Sequence, residues 1–243
     1  MLESWHVLRL SVIIAIALAA LGVAGTTSAE VARHPCVPKS AEIRFSAADG
    51  TRLAGYRLGK GRAAVVLAHQ SRGDACQWAG YAKRLARLGY LVIAIDFRGY
   101  GDSQTRGGRA AGRLAADVGA AAKAARARGA RKVFAVGASM GGTAALVSGA
   151  NIRPPLSGVI SLSGPAVYIG LDALKSAPRL TVPTLYVVGQ FDSDFVPDAQ
   201  RLYDATASHD KAVQVLPVGH HGVDLVRFDA RARALVEGFL RSH

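Results

Sequence analysis

Residues 132–149, KVFAVGASMGGTAALVSG, decide the fold. Val133 to Val136 is a short apolar run of the kind a strand uses, and the small residues from Met140 onward read as a helix. Only a tight turn around Ser139 is left between them. A turn that sharp holds the serine in a strained backbone conformation, and Gly137 and Gly141 let adjacent segments approach closely. It lifts the hydroxyl to the end of a strand and the start of a helix, where backbone N–H groups favour developing negative charge. G-x-S-x-G alone would be a weak signal in a chain with 27 glycines. The strand before it and the helix after it give it meaning.

Outward from this turn the same alternation repeats. Upstream, the runs 41–46 and 52–58 flank Asp49-Gly50, a hairpin signal. Ala63–Ala68 and Leu91–Asp96 are continuous apolar runs, expected of strands covered on both faces. Trp78, Tyr81, Leu85 and Leu88 recur at helical spacing before Gly89, and residues 110–128 read as a second helix. Downstream, 158–163, 184–189 and 212–216 read as strands, 197–207 as a helix, and 223–240 as one closing amphipathic helix. A hairpin followed by strand–helix alternation predicts one α/β domain with a mostly parallel central sheet and helices on both faces. Function in such sheets gathers at the carboxyl ends of the strands.

A serine hydroxyl is a poor nucleophile at neutral pH, so it needs a base, and the base needs an orienting partner. Gln190-Phe191-Asp192-Ser193-Asp194 follows the 184–189 strand, and Pro217-Val218-Gly219-His220-His221-Gly222 follows the 212–216 strand. The order Ser, Asp, His suits this sheet. Asp192 is the candidate acid, with Asp194 as the alternative. His221 is the candidate base, with His220 as the alternative. Each taken alone also reads as an ordinary loop residue; their appearance in order, at strand ends, points to a site.

These residues resemble the α/β-hydrolase superfamily over nearly all of residues 40–241. Asp96-Phe97-Arg98-Gly99-Tyr100-Gly101-Asp102-Ser103 is similar to the D-x-R-G-x-G-x-S turn that comes after the fourth strand in that superfamily, where its role is structural. His69-Gln70-Ser71 stands where many members carry His-Gly-x. The resemblance implies an oxyanion hole made by the N–H groups of Ser71 and Met140, with Gln70 as the other possible donor and His69 as a structural histidine. It further implies a serine hydrolase acting on carboxylic esters through an acyl-enzyme. A peptidase or amidase with the same residues is the near alternative, and a non-catalytic binding protein on the same fold the distant one. Residues 164–183 leave room for one helix and no lid domain, as at the minimal, dienelactone-hydrolase-like end of the superfamily. That predicts an open site for small esters or for a segment of a polymer.

Residues 10–25, LSVIIAIALAALGVAG, come after Arg9 and precede Thr27-Ser28-Ala29. This is the layout of a secretory leader, with cleavage expected after Ala29 and a mature hydrolase domain over 30–243. The alternative is a retained anchor, for which an apolar run of that length is short against the roughly 20 residues a spanning helix needs. Export to a secreted or periplasmic location would open two readings of Cys36 and Cys76: two separate buried thiols, or one disulfide. The charge is strongly basic, 30 Lys and Arg against 17 Asp and Glu. Residues 106–132 concentrate it, with only Asp117 opposing, but no aromatic residue is interleaved as a single-strand nucleic-acid groove would want. No nucleic-acid partner is expected; the charge suits at most a weak attraction to anionic surfaces. His34, His69, His209 and the pair at 220–221 lack metal-ligand spacing, so neither metal nor other cofactor is expected.

Overall fold

A computed structural model describes residues 34–105 and 111–243. The expected leader, Arg106, Arg109 and the first residue of the helix expected over 110–128 lie outside the described residues. The Asp49-Gly50 turn closes the opening hairpin of β1 (Glu42–Ser46) and β2 (Arg52–Leu58), with Gly50 at φ 78°. Then come β3 (Ala63–Ala68), α1 (Ala79–Arg87), β4 (Leu91–Ile95), α2 (Leu114–Ala127), β5 (Lys132–Ala138), α3 (Met140–Asn151) and β6 (Gly158–Leu162). After a small hairpin, β7 (Val167–Tyr168) and β8 (Leu171–Asp172), the chain forms α4 (Ala173–Ser176), β9 (Thr184–Gly189), α5 (Val196–Ala205) and β10 (Lys211–Leu216). The helices α6 (Val223–Phe228) and α7 (Ala230–Ser242) close the chain.

The eight-stranded sheet runs β1-β2-β4-β3-β5-β6-β9-β10. β2 is antiparallel to both its neighbours, and every pairing from β4 to β10 is parallel. This is the α/β class expected from the alternation. The register puts the functional segments in one row: Ala68 pairs with Gly137, Ala138 with Leu162, Leu162 with Val187, and Gly189 with Leu216. The loops leaving these strands therefore emerge at the same edge. Successive side chains of a strand point to opposite faces, so β3 sends Val66 and Ala68 into one core and Val65 and Leu67 into the other. The first core receives α2, α3 and α5; the second receives α1, α6 and α7 around Trp78 and Phe134.

The carboxyl-terminal helix departs from expectation. Residues 223–240 form two helices, not one, because Asp229 takes an extended conformation (φ −103°, ψ 123°) and its carboxylate accepts the N–H groups of Arg231 and Ala232. An aspartate N-cap satisfies donors that a helix start leaves open. Residues 164–183 hold the β7–β8 hairpin as well as a short helix, and no lid domain.

The turn after β4 acts as a fastener. Arg98 is fully buried; its guanidinium donates to Asp117 on α2 and to Asp49 in the opening hairpin at 2.7 Å. Removing one partner of a buried pair of this kind costs about 3–5 kcal/mol. Asp96, also buried, accepts the N–H groups of Ala75 and Asp102, both at 2.8 Å, and meets His34 Nε2 at 2.9 Å. Cys36 and Cys76 form a disulfide with a Cα–Cα distance of 5.6 Å. It closes a loop spanning 40 residues of sequence, which in the chain-entropy account stabilises by roughly 4 kcal/mol.

His34 makes folding stability depend on pH. Burial alone would lower its pKa, but the hydrogen bond and charge of Asp96, with the carboxylates of Asp102 and Glu42 nearby, outweigh it and raise it above 6.5. Asp96 is lowered in turn: burial opposes its charge, and His34 with the two N–H donors prevails. A raised histidine contributes stability below its unfolded pKa and loses it as pH climbs through the folded value. The melting temperature is therefore expected to fall between neutral and alkaline pH, by roughly 2–4 °C per kcal/mol lost. His34→Gln should flatten that fall; an unchanged slope in the variant would refute the assignment.

Candidate active site

The turn between β5 and α3 holds Ser139 at φ 49° and ψ −119°, a backbone conformation that non-glycine residues rarely adopt. Its backbone N–H donates to Leu162 O at 2.8 Å, which fixes the turn to the next strand. A Cβ on Gly137 would sit 2.0 Å from Gly141 O, and one on Gly141 2.2 Å from Ala68 O. Both glycines are thus required by close backbone approach. The same approach packs the first turn of α3 on the end of β3.

Asp192 and His221 are in contact. His221 Nδ1 lies 2.8 Å from Asp192 Oδ2, and the two side chains are 32% and 11% exposed. Asp192 N–H donates back to Gly189 O at 3.1 Å, turning the carboxylate toward the neighbouring loop. Gly189 has no room for a side chain, since its Cβ would meet Val218 O at 2.6 Å and His220 O at 2.9 Å. Phe195, which the sequence did not single out, packs on the His221 ring with centroids 4.4 Å apart. Of the alternatives, Asp194 is exposed, and the His220 ring lies against Phe228 at 5.5 Å.

The histidine loop reaches the serine turn through Gly222. At φ 57°, a Cβ on this glycine would lie 3.3 Å from Ala138 Cβ, beside Ser139. No hydrogen bond joins Ser139 Oγ to His221 among the described residues. Such bonds are often long without substrate and tighten in the reacting complex. Ser139 itself is 7% exposed.

His69 is fully buried between Phe97 and Tyr100. Its Nε2 accepts Phe97 N–H at 3.1 Å, so Nδ1 carries the proton and donates to Gln70 O at 2.8 Å. Burial pushes its pKa down, which keeps this tautomer neutral. Gln70 N–H donates to Gln77 Oε1 at 3.2 Å. Because C=O and N–H of a trans peptide point opposite ways, anchoring Gln70 O on His69 turns Ser71 N–H away from that ring. Arg72 next to it stands at φ 59°.

Comparison with solved structures completes the identification of the fold. An esterase of Pyrococcus furiosus superposes with a TM-score of 0.70 at 18% identity, covering 83% of this chain and 90% of that one. A dienelactone hydrolase of Anabaena variabilis gives 0.67 at 22% identity, covering 82% and 94%. A thermophilic esterase of Thermogutta terrifontis with malate bound gives 0.66 at 20%, covering 83% and 98%. The family model described as serine aminopeptidase, S33, matches residues 59–173. The chain has the α/β-hydrolase fold. The segment this family model matches runs from the end of the opening hairpin through Ser139, and stops before Asp192 and His221. No curated protein matches the chain in sequence.

Among the described residues there is no group of three or more His, Cys, Asp or Glu side chains that could hold a metal ion. Arg113 pairs with Asp49 at 3.3 Å, Arg126 and Arg128 donate to the carbonyls of Pro155 and Ala124, and Asp117 is held by Arg98.

Proposed function

We propose that this protein is an exported serine hydrolase of the α/β-hydrolase superfamily that cleaves carboxylic esters through an acyl-enzyme. The observation that carries the reading is the His221–Asp192 contact at 2.8 Å on the loop that also packs against the strained Ser139 turn. Asp192 accepts from Nδ1–H and so keeps Nε2 free as the base. His221 takes the Ser139 proton, and Oγ attacks the ester carbonyl. The developing oxyanion is met by the N–H groups of Met140 and Ser71. Gln70 N–H is engaged by Gln77, which favours Ser71 over it as the second donor. His221 then gives its proton to the leaving alcohol. Water, deprotonated by the same imidazole, releases the acid.

Exposed Val167, Ile169 and Phe191 sit on segments that leave the sheet beside this site and suit an apolar acyl portion. Export is supported by the leader pattern of residues 1–29 and by the Cys36–Cys76 bond. A second reading, a peptidase or amidase with the same residues, is favoured by the serine aminopeptidase model over residues 59–173.

A fluorophosphonate probe is expected to label the purified protein at Ser139, and the label should vanish in Ser139→Ala. Failure to label would count against a serine nucleophile. Chromogenic esters of graded chain length, run beside peptide amides, separate the two readings. Turnover of amides at rates matching the best ester would replace the first by the second.

A further inference from the structure

Gln70 stands where the resemblance leads one to expect glycine, and its side chain crosses to the histidine loop. Helix α6 begins after Gly222, which has no side chain with which to cap it. The first N–H groups of a helix have no partner within it. Gln70 Oε1 accepts one of them, Val223 N–H, at 3.0 Å, from a residue 153 positions away in sequence. The fit depends on Gly222, whose Cβ would lie 2.3 Å from that oxygen. The other end of Gln70 is fixed as well, by Gln77 Oε1 on its N–H and His69 on its carbonyl. A parallel tie runs from Arg227 Nη2 on α6 to Gln77 O at 3.0 Å.

We propose that Gln70 is a positioning residue, capping α6 from the oxyanion loop and so setting the spacing between His221 and the Ser71 N–H. Val223 lies two residues after His221, and Ser71 directly succeeds Gln70. One amide thus couples the base to the oxyanion donor. Glycine here would keep both backbone bonds of residue 70 and lose only the bridge. The inference rests on the roles proposed for Ser139, His221 and Asp192.

Two measurements test it. The first needs no catalysis: hydrogen exchange at the Val223 amide should quicken about tenfold or more in Gln70→Met, which keeps the length and removes the acceptor, as local opening becomes easier. The second is kinetic. Misplacement by about 1 Å can cost on the order of a hundredfold, so Gln70→Met and Gln70→Gly should lower kcat about ten- to a hundredfold while KM changes less than about threefold. Gln70→Glu restores the acceptor and should recover most of kcat. Its added negative charge near the imidazole should move the acid limb of the pH–rate profile to higher pH.

Unchanged exchange at Val223 overturns the clamp whatever the activity. Wild-type kcat in both Gln70→Met and Gln70→Gly overturns it too, as does an equal loss in Gln70→Glu. Ser139→Ala run alongside separates the two ideas. An active Ser139→Ala removes the serine-hydrolase reading and leaves the exchange result to decide the clamp.

Discussion

Ser139→Ala is expected to lower kcat by about four to six powers of ten, the scale seen when a nucleophile of this type is removed. At 1.36 kcal/mol per decade that is roughly 5–8 kcal/mol of lost transition-state stabilisation. The residual rate would come from the oxyanion donors and substrate binding, which act without the nucleophile. Alanine has the same backbone constraint as serine, so the strain at φ 49° remains and the melting temperature should barely move. Glycine separates the two effects. Ser139→Gly should be equally inactive yet more stable, by about 1 kcal/mol, because it adopts a positive φ without the steric penalty. Steady-state kinetics with the best ester and thermal unfolding of both variants check this. Near-wild-type turnover in Ser139→Ala would remove Ser139 from the mechanism.

The second large effect is at His221. His221→Ala should cost on the order of 10⁴ or more in kcat, since a serine without its base loses almost as much as a missing serine. His220→Ala should stay within about tenfold of wild type, because its ring packs on Phe228 and, among the described residues, forms no ion pair with a carboxylate. Asp192→Asn should lose about 10⁴-fold, as an amide in place of the carboxylate orients the wrong tautomer. Asp194→Asn, at an exposed position, should be close to neutral. If the two histidines showed the reverse order, the 2.8 Å contact between His221 and Asp192 would be structural, and the base would have to be sought at His220.

Much of this was legible in the sequence because the signals are local. The apolar run Val133 to Val136 and the small residues from Met140 lie within one window, and strands 52–58, 63–68 and 184–189 have the bounds their composition suggested. The choice between Asp192 and Asp194 was not legible. Both lie on one short loop, and the back-bond from Asp192 N–H to Gly189 O that turns one carboxylate toward the histidine leaves no mark in spacing. The break at Asp229 had a local signal, an aspartate ahead of Ala230-Arg231-Ala232, but the apolar residues Leu225, Phe228, Leu235 and Phe239 carry a helical period across it. Gln70 with Val223, and His34 with Asp96, join residues 153 and 62 positions apart. No periodicity reports contacts of that kind. They arise from topology, which brings the ends of β3, β4 and β10 to one edge.

The Cys36–Cys76 bond ties the fate of the site to the chemistry of its surroundings. Cys76 lies five residues beyond Ser71, in the segment that also supplies Gln77, and its partner precedes the first strand. With the bond intact, the loop offering Ser71 is stapled to the chain ahead of the sheet. In a thiol-reducing compartment the same polypeptide would hold that loop only by its hydrogen bonds and by the packing of Ala75 and Trp78 in the core. Protein made in a reducing cytoplasm and protein made through an oxidising export route are therefore two different preparations, the second with the loop after β3 stapled and the first without.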